Sequence, residues 1–303
     1  MFPLAIFIGG PTASGKTELA LSVQSKLPSF IVNADSMQVY DKFNILTNKP
    51  KTKDIKNGNC KLFGFINYPD KCNVGLWRNK SIELLKDKKK IPIFVGGTGL
   101  YLESLTKNIS EIPQISKKVK FKVNKIMERK GKQFLYDKLI EIDKNYAKKI
   151  SSNDTQRILR AIEVKVATGK SFSEWHGQEK KNIFEKIIYV VVSMERDLLY
   201  DKINSRCKEM LKRGVIDEVE DFLDEQSDRS HPLHKAIGLN PISLFILGKM
   251  NKDECISIFM QDTRRYAKRQ LTWFNNRASY AKHLGFFDAE NFKTPKTWST
   301  KLP

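Results

Sequence analysis

Long apolar runs, paired cysteines and clustered metal ligands are all missing from this 303-residue chain. No segment approaches the roughly 18 consecutive apolar residues that mark a membrane-spanning helix. The apolar start is cut short by Gly9-Gly10, so a cytoplasmic protein is expected. The four cysteines, Cys60, Cys72, Cys207 and Cys255, stand far apart with no C-x-x-C pair, which argues against a disulfide scaffold and against a thiolate zinc site. His231-Pro-Leu-His234 has no third ligand nearby. Acid is scarce as well: 34 Asp and Glu face 54 Lys and Arg, a formal charge of +20. Such an excess predicts attraction to a polyanion such as nucleic acid, with a merely solvated basic surface as the alternative. With 40% hydrophobic residues the chain can bury a sizeable core, in one large domain or two smaller ones.

What is present begins with Gly10-Pro11-Thr12-Ala13-Ser14-Gly15-Lys16-Thr17, which fits G-x-x-x-x-G-K-[ST]. The apolar run Leu4-Ala5-Ile6-Phe7-Ile8 leads into it and the helix-patterned Glu18-Leu19-Ala20-Leu21-Ser22-Val23 leads out. In that setting the glycines let backbone N–H groups turn toward an anion, and the helix N-terminus adds partial positive charge. Lys16 supplies a full charge and the Thr17 hydroxyl can hold Mg²⁺. A phosphorylated ligand is expected.

Three further apolar runs follow. Phe30-Ile31-Val32 ends in Asn33-Ala34-Asp35-Ser36; Ile91-Pro92-Ile93-Phe94-Val95 ends in Gly96-Gly97-Thr98-Gly99; the third is Ile187-Ile188-Tyr189-Val190-Val191-Val192-Ser193. Alternation of such runs with helical patterning predicts an α/β fold, a P-loop NTPase-like parallel sheet flanked by helices. In such sheets ligands lie beyond the carboxyl ends of the strands, which places Asp35, Thr98 and the phosphate loop together. Residues 116–186 hold 19 Lys or Arg against nine Asp or Glu, half the net charge in under a quarter of the length. This stretch predicts a mainly helical basic insertion, with Phe134, Leu135, Leu139 and Ile140 on a buried stripe. After Val192 mainly helical patterning runs to about His283. The expected division is a catalytic core of 1–112 and 187–290, an insertion of 113–186 that binds RNA, and a tail of 291–303.

The chemistry is narrower than the phosphate loop implies. Nucleotide hydrolases with this loop also use an apolar strand ending in Asp to orient Mg²⁺, whereas the 91–95 run delivers glycines and Thr98. Asp35 is the one carboxylate at a strand end. It can accept a proton from an incoming nucleophile, or it can cap the turn that follows. In residues 263–274 basic side chains alternate with Tyr266, Trp273 and Phe274, a pattern that suits nucleic acid and core packing alike.

Six motifs in order resemble one family, the tRNA dimethylallyltransferases, from Gly9 to about Phe274. They are the loop from Gly9 to Thr17, Asn33-Ala34-Asp35-Ser36-Met37-Gln38-Val39-Tyr40, Gly96-Gly97-Thr98-Gly99-Leu100-Tyr101, Gln156-Arg157-Ile158-Leu159-Arg160-Ala161, Gly169-Lys170-Ser171-Phe172-Ser173-Glu174-Trp175 and the 263–274 helix. The resemblance implies transfer of a prenyl group from dimethylallyl diphosphate to N6 of the adenosine just 3′ of the anticodon, in tRNAs reading codons that begin with U. It implies that the loop from Gly10 to Thr17 binds diphosphate with Mg²⁺, and that Asp35 is the base. Thr98 would stand at the oxygen joining prenyl group and diphosphate, and Arg206 on the leaving group. Asp35, Ser36, Met37, Gln38 and the stretch from Gln156 to Arg160 would touch the tRNA anticodon stem-loop, with the chain acting as a monomer. Arg157 and Arg160 could instead pair with Asp154 and Glu163 at helical spacing. Ala236-Ile237-Gly238-Leu239-Asn240-Pro241 departs from the family pattern, lacking its aromatic and basic pair, so tRNA contact is not carried over there. Three rivals remain at this point: a small-molecule kinase, an isopentenyltransferase acting on free AMP or ADP, and a non-catalytic RNA-binding module.

Overall fold

The computed structural model describes residues 1–50, 59–86, 89–106, 112–113, 115–176, 183–225, 230–278 and 282–284, the side chains of 176 and 282–284 excepted. It separates into two compact units, residues 1–106 with 182–303, and residues 107–181. The expected tail, 291–303, lies outside the described residues.

The first unit is built on six parallel strands in the order β3-β2-β4-β1-β5-β6. They are β1 (Phe2–Gly9), β2 (Ser29–Asn33), β3 (Cys60–Lys61), β4 (Ile91–Gly96), β5 (Phe184–Val192) and β6 (Lys282–Leu284). β1 sits between β4 and β5, with Ile8 opposite Val95 and Val190. Because both faces of a parallel sheet are covered, alternate residues of one strand enter different cores. Ile6 and Ile8 pack with Ile93, Val95, Val190 and Val192 against Leu19, Ala20 and Val23 of α1 (Lys16–Gln24). Phe7 turns the other way and meets Phe94, Tyr189 and Phe184 edge-on at centroid distances of 5.3, 5.5 and 5.9 Å. That second core also takes in Trp77 of α2 (Val74–Glu83) and Leu102 of α3 (Gly99–Thr106). β3 and β6 are additions to the four strands expected from sequence, and β6 occupies the end of the stretch patterned as helical.

The second unit is helical: α4 (Lys117–Ile142), α5 (Lys144–Ala147), α6 (Thr155–Thr168) and α7 (Phe172–His176). Gly131, at φ 81°, breaks α4 into two segments. Leu135 and Leu139 are buried with Val123, Ile158, Ala161 and Ile162, and Phe134 packs beside them. Ile140 is exposed, contrary to its expected place on the stripe, because it follows Leu139 by one residue and so points about 100° away. Asp143 ties the unit together, accepting from Tyr146 N with one oxygen and from Ser173 N with the other.

Returning to the first unit, α8 (Arg196–Lys212), α9 (Val215–Asp224), a 3₁₀ turn (Pro232–Lys235), α10 (Leu239–Ile246) and α11 (Lys252–Arg277) complete it. Trp77, fully buried, stacks on Tyr101 at 4.5 Å and donates its indole N–H to the Asn33 carbonyl at 2.7 Å. That bond fixes the end of β2, where the functional loop begins. Trp77→Phe leaves a void and a buried carbonyl without its donor, so it is expected to cost about 2–4 kcal/mol. Urea unfolding should show a lower midpoint at an unchanged slope.

Candidate functional site

β1 runs into the phosphate loop and α1 starts from Gly15, whose φ of 87° is a left-handed conformation that glycine tolerates without strain. No side chain caps α1, which leaves its first N–H groups to be satisfied by a ligand or solvent. The Ser14 side chain is enclosed in the loop and its hydroxyl has no protein partner. Lys16 folds back over the loop and donates to the Pro11 carbonyl. Each of these features suits an oxyanion resting on the loop.

The end of β2 forms the facing wall. Asn33 accepts from the Asp35 N–H at 2.9 Å and donates to the carbonyls of Asp35 and Leu62. Asp35 Oδ1 accepts from Met37 N–H at 2.9 Å, so this oxygen serves the turn. Thr98, at the end of β4, accepts from Ser36 N–H at 2.9 Å and donates to Ser36 Oγ at 3.1 Å. Thr98 therefore clamps the turn that holds Asp35.

Asp35, Ser36, Met37, Thr12 and Arg206 line one cavity of about 210 Å³. Its remaining walls are largely apolar, with Leu46, Met210, Ala236, Ile237 and Phe259, and Lys235, Tyr266 and Arg269 also border it. Arg206, from α8, donates to Thr12 Oγ1 at 3.2 Å, which ties it to the phosphate loop. Gln38 does not reach the cavity lining; its amide donates to the carbonyls of Thr47 and Asn48 and secures the loop from which Leu46, Thr47 and Asn48 do. Two further side chains brace that loop. Glu218 of α9 accepts from the N–H groups of Ile45 and Leu46, both at 2.8 Å. Lys49, only 8% exposed, donates to the carbonyls of Asp41 and Lys42 and to Asn44 Oδ1.

Charge at this cavity and on the phosphate loop beside it is held away from bulk water. Burial lowers the Lys16 pKa to about 8, with the nearby Arg206 adding to the effect and Asp35 opposing it. Arg206 is pushed down by burial too. Burial raises Asp35 above the ordinary carboxylate range, against the opposing pull of the Met37 N–H bond and the Lys16 charge. Two poorly hydrated cations and a carboxylate that resists ionisation make a place where an anion is stabilised and a proton can be taken up.

A match to the IPP transferase family spans residues 38–277. The chain belongs to that family. A tRNA dimethylallyltransferase of Pelagibacter ubique (strain HTCC1062) is 38% identical over 276 residues, 90% of this chain and 88% of its own. One from Bartonella henselae is 40% identical over 278 residues, 89% of this chain and 94% of its own. The crystal structure of a Staphylococcus epidermidis tRNA delta(2)-isopentenylpyrophosphate transferase is 32% identical with a TM-score of 0.65, covering 99% of this chain and all of the other. A eukaryotic dimethylallyltransferase acting on tRNA, 24% identical, shares the fold at a TM-score of 0.83 over 98% of this chain and 77% of that one.

Within this IPP transferase the helical unit displays its sequence-expected residues unevenly. Gln156 and Arg157 are exposed, whereas Ile158 is fully buried and Leu159 packs on the same core. Arg157 lies 3.3 Å from Asp154 and Arg160 3.8 Å from Glu163, pairs at helical spacing that are worth only a few tenths of a kcal/mol in water. Phe259, Met210 and Lys235 border the cavity without having been singled out from sequence, and no spacing rule marks them; Tyr266, from the 263–274 pattern, borders it too. Among the described residues no group of three or more His, Cys, Asp or Glu could hold a metal ion.

Since Lys16 carries its charge below about pH 8 and loses it above, affinity for inorganic diphosphate should hold up to that pH and fall beyond it. Calorimetric titration across pH 6.5–9.5 checks this. In Lys16→Arg, where the cation does not titrate, the relative loss above pH 8 should vanish.

Proposed function

We propose that the chain transfers a dimethylallyl group from dimethylallyl diphosphate to N6 of the adenosine immediately 3′ of the anticodon, in tRNAs reading codons that begin with U. The observation carrying this reading is that Asp35 and Arg206 line one cavity while Lys16, on the adjoining loop, lies close enough to feel both charges: two cations suited to a departing diphosphate beside one carboxylate suited to a proton. Family membership and tRNA dimethylallyltransferase relatives matched over about nine-tenths of the chain support it.

In this mechanism the substitution takes place at carbon. N6 forms a bond to C1 of the prenyl group as the bond from C1 to the diphosphate oxygen breaks, and the N6 proton passes to Asp35. An exocyclic adenine amine is a weak nucleophile until that proton is lost, so the raised Asp35 pKa strengthens the base. The phosphate-loop N–H groups, Lys16 and Arg206 take the negative charge that grows on the leaving diphosphate. Thr98 would turn its hydroxyl from Ser36 Oγ toward the bridging oxygen. The Thr17 hydroxyl, beside an anion site with few carboxylates, fits a magnesium ion brought in by the diphosphate, since that ion keeps much of its coordination from substrate oxygens and water. Bound there, Mg²⁺ would neutralise diphosphate charge.

On the RNA side, the target base leaves the anticodon-loop stack at a cost of a few kcal/mol and is met by the Asp35–Gln38 turn. Gln156, Arg157 and Arg160 supply contacts from the basic unit, where exposed guanidinium groups exchange weak local pairs for phosphates. A cytoplasmic monomer suffices for this chemistry. No helix among the described residues is long and apolar enough to cross a membrane.

Incubation with isotopically labelled dimethylallyl diphosphate should place label on tRNA; γ-phosphoryl transfer from ATP with unlabelled tRNA would instead identify a kinase. Asp35→Asn should lower turnover about 10²–10⁴-fold with tRNA affinity within a few fold. It should also raise the thermal midpoint, because a carboxylate whose folded pKa is raised costs stability at neutral pH. Arg157→Ala with Arg160→Ala should weaken tRNA binding and reduce the salt slope of log K by about 1.5. An unaltered slope would place those side chains away from phosphate.

A further inference from the structure

Gln270, on α11, is 5% exposed and touches the site from beneath, at two points that belong to different loops. Its Oε1 accepts the Thr12 N–H at 2.8 Å, and its Nε2 donates to the Gly97 carbonyl at 3.1 Å. The two demands are opposite in kind, an acceptor for one loop and a donor for the other, and a carboxamide meets both at once. The approach is close: a Cβ at Gly97 would lie 1.9 Å from Nε2, so only glycine leaves room for the amide. The same helix face buries Ala267 and Phe274, which fixes the height of Gln270 above the sheet.

Each point of attachment leads to a charged group. Thr12 is the residue whose hydroxyl accepts from Arg206. Gly97 precedes Thr98, whose hydroxyl clamps the turn bearing Asp35. We infer that Gln270 is a positioning residue for the reaction: its amide sets the separation between the phosphate loop, with Arg206 attached, and the Asp35 turn. It does not touch the reacting atoms. Because the Thr12 N–H is already taken by Gln270, the anion is left to the N–H groups from Ala13 onward, and the amide acts by aiming the loop. The inference rests on the reading of that loop as the diphosphate site.

Two substitutions separate positioning from packing. Gln270→Met keeps length and removes both hydrogen bonds. It should weaken inorganic diphosphate binding and raise the KM for dimethylallyl diphosphate about tenfold each, with tRNA affinity within twofold. Gln270→Glu matches the carboxamide while protonated and loses its donor on ionising. Its KM for the prenyl donor, taken relative to wild type at each pH, should fall toward unity as the pH is lowered into the range where the introduced carboxyl takes up its proton. Wild-type diphosphate affinity in a folded Gln270→Met protein overturns the inference, and so does a Gln270→Glu defect that is independent of pH. If Gln270→Met does not fold, the pH dependence of Gln270→Glu decides alone. Wild-type protein that binds diphosphate but never labels tRNA would defeat the proposed reaction and leave the role of Gln270 to be judged on diphosphate affinity.

Discussion

The separation of charge from water at the carboxyl ends of β1, β2 and β4 governs the rest of the site. Lys16, Arg206 and Asp35 are each shifted by burial toward their neutral forms, an arrangement that costs the folded protein stability. A diphosphate, the ligand proposed for this site, would relieve it by supplying negative charge to the two cations. On the proposed reading, the same low hydration that makes these buried charges costly would favour an anion whose charge increases during reaction. Walls built from Leu46, Met210, Ile237 and Phe259 serve the same end, since they keep the dielectric low where charge must move and offer an apolar surface to a hydrocarbon.

Holding unfavourable charges in place requires a stiff frame, and the frame is made of polar bonds that the reaction does not consume. Trp77 anchors the Asn33 carbonyl, Asn33 folds the Asp35 turn, and Thr98 locks it. Gln270 reaches across to the phosphate loop. Each side chain is buried or half-buried and satisfied, the condition under which polar networks specify a single geometry. The sheet beneath supplies rigidity through packing, with Phe7 gripped by three aromatic rings.

The four long strands were legible because buried parallel strands are uninterrupted apolar runs, and the loops after three of them had to share an edge. β3, of two residues, and β6, of three, are too short to leave a period. The two readings of Asp35 prove compatible: one oxygen braces a turn while the side chain still borders the cavity. Arg157 and Arg160 form the local pairs that their helical spacing allowed, and their side chains remain accessible to solvent. Gln270 was illegible as a site residue, since its partners lie 258 and 173 positions away and no local pattern registers such distances. Ile140 was misplaced for a different reason: it lies about 100° round the helix from the buried Leu139 and falls on the exposed side of the stripe.

The loop from Asp41 to Lys49 bears on how quickly the cavity can be filled. Glu218, Gln38 and the buried Lys49 amine hold it from three directions before any substrate arrives. A wall secured in advance has already lost its conformational freedom during folding, so capture of a small ligand need not order it again. Encounter can then proceed without waiting for a gate to close on that side. On the proposed reading, any slow step would be left to the polynucleotide, which would have to unstack a base.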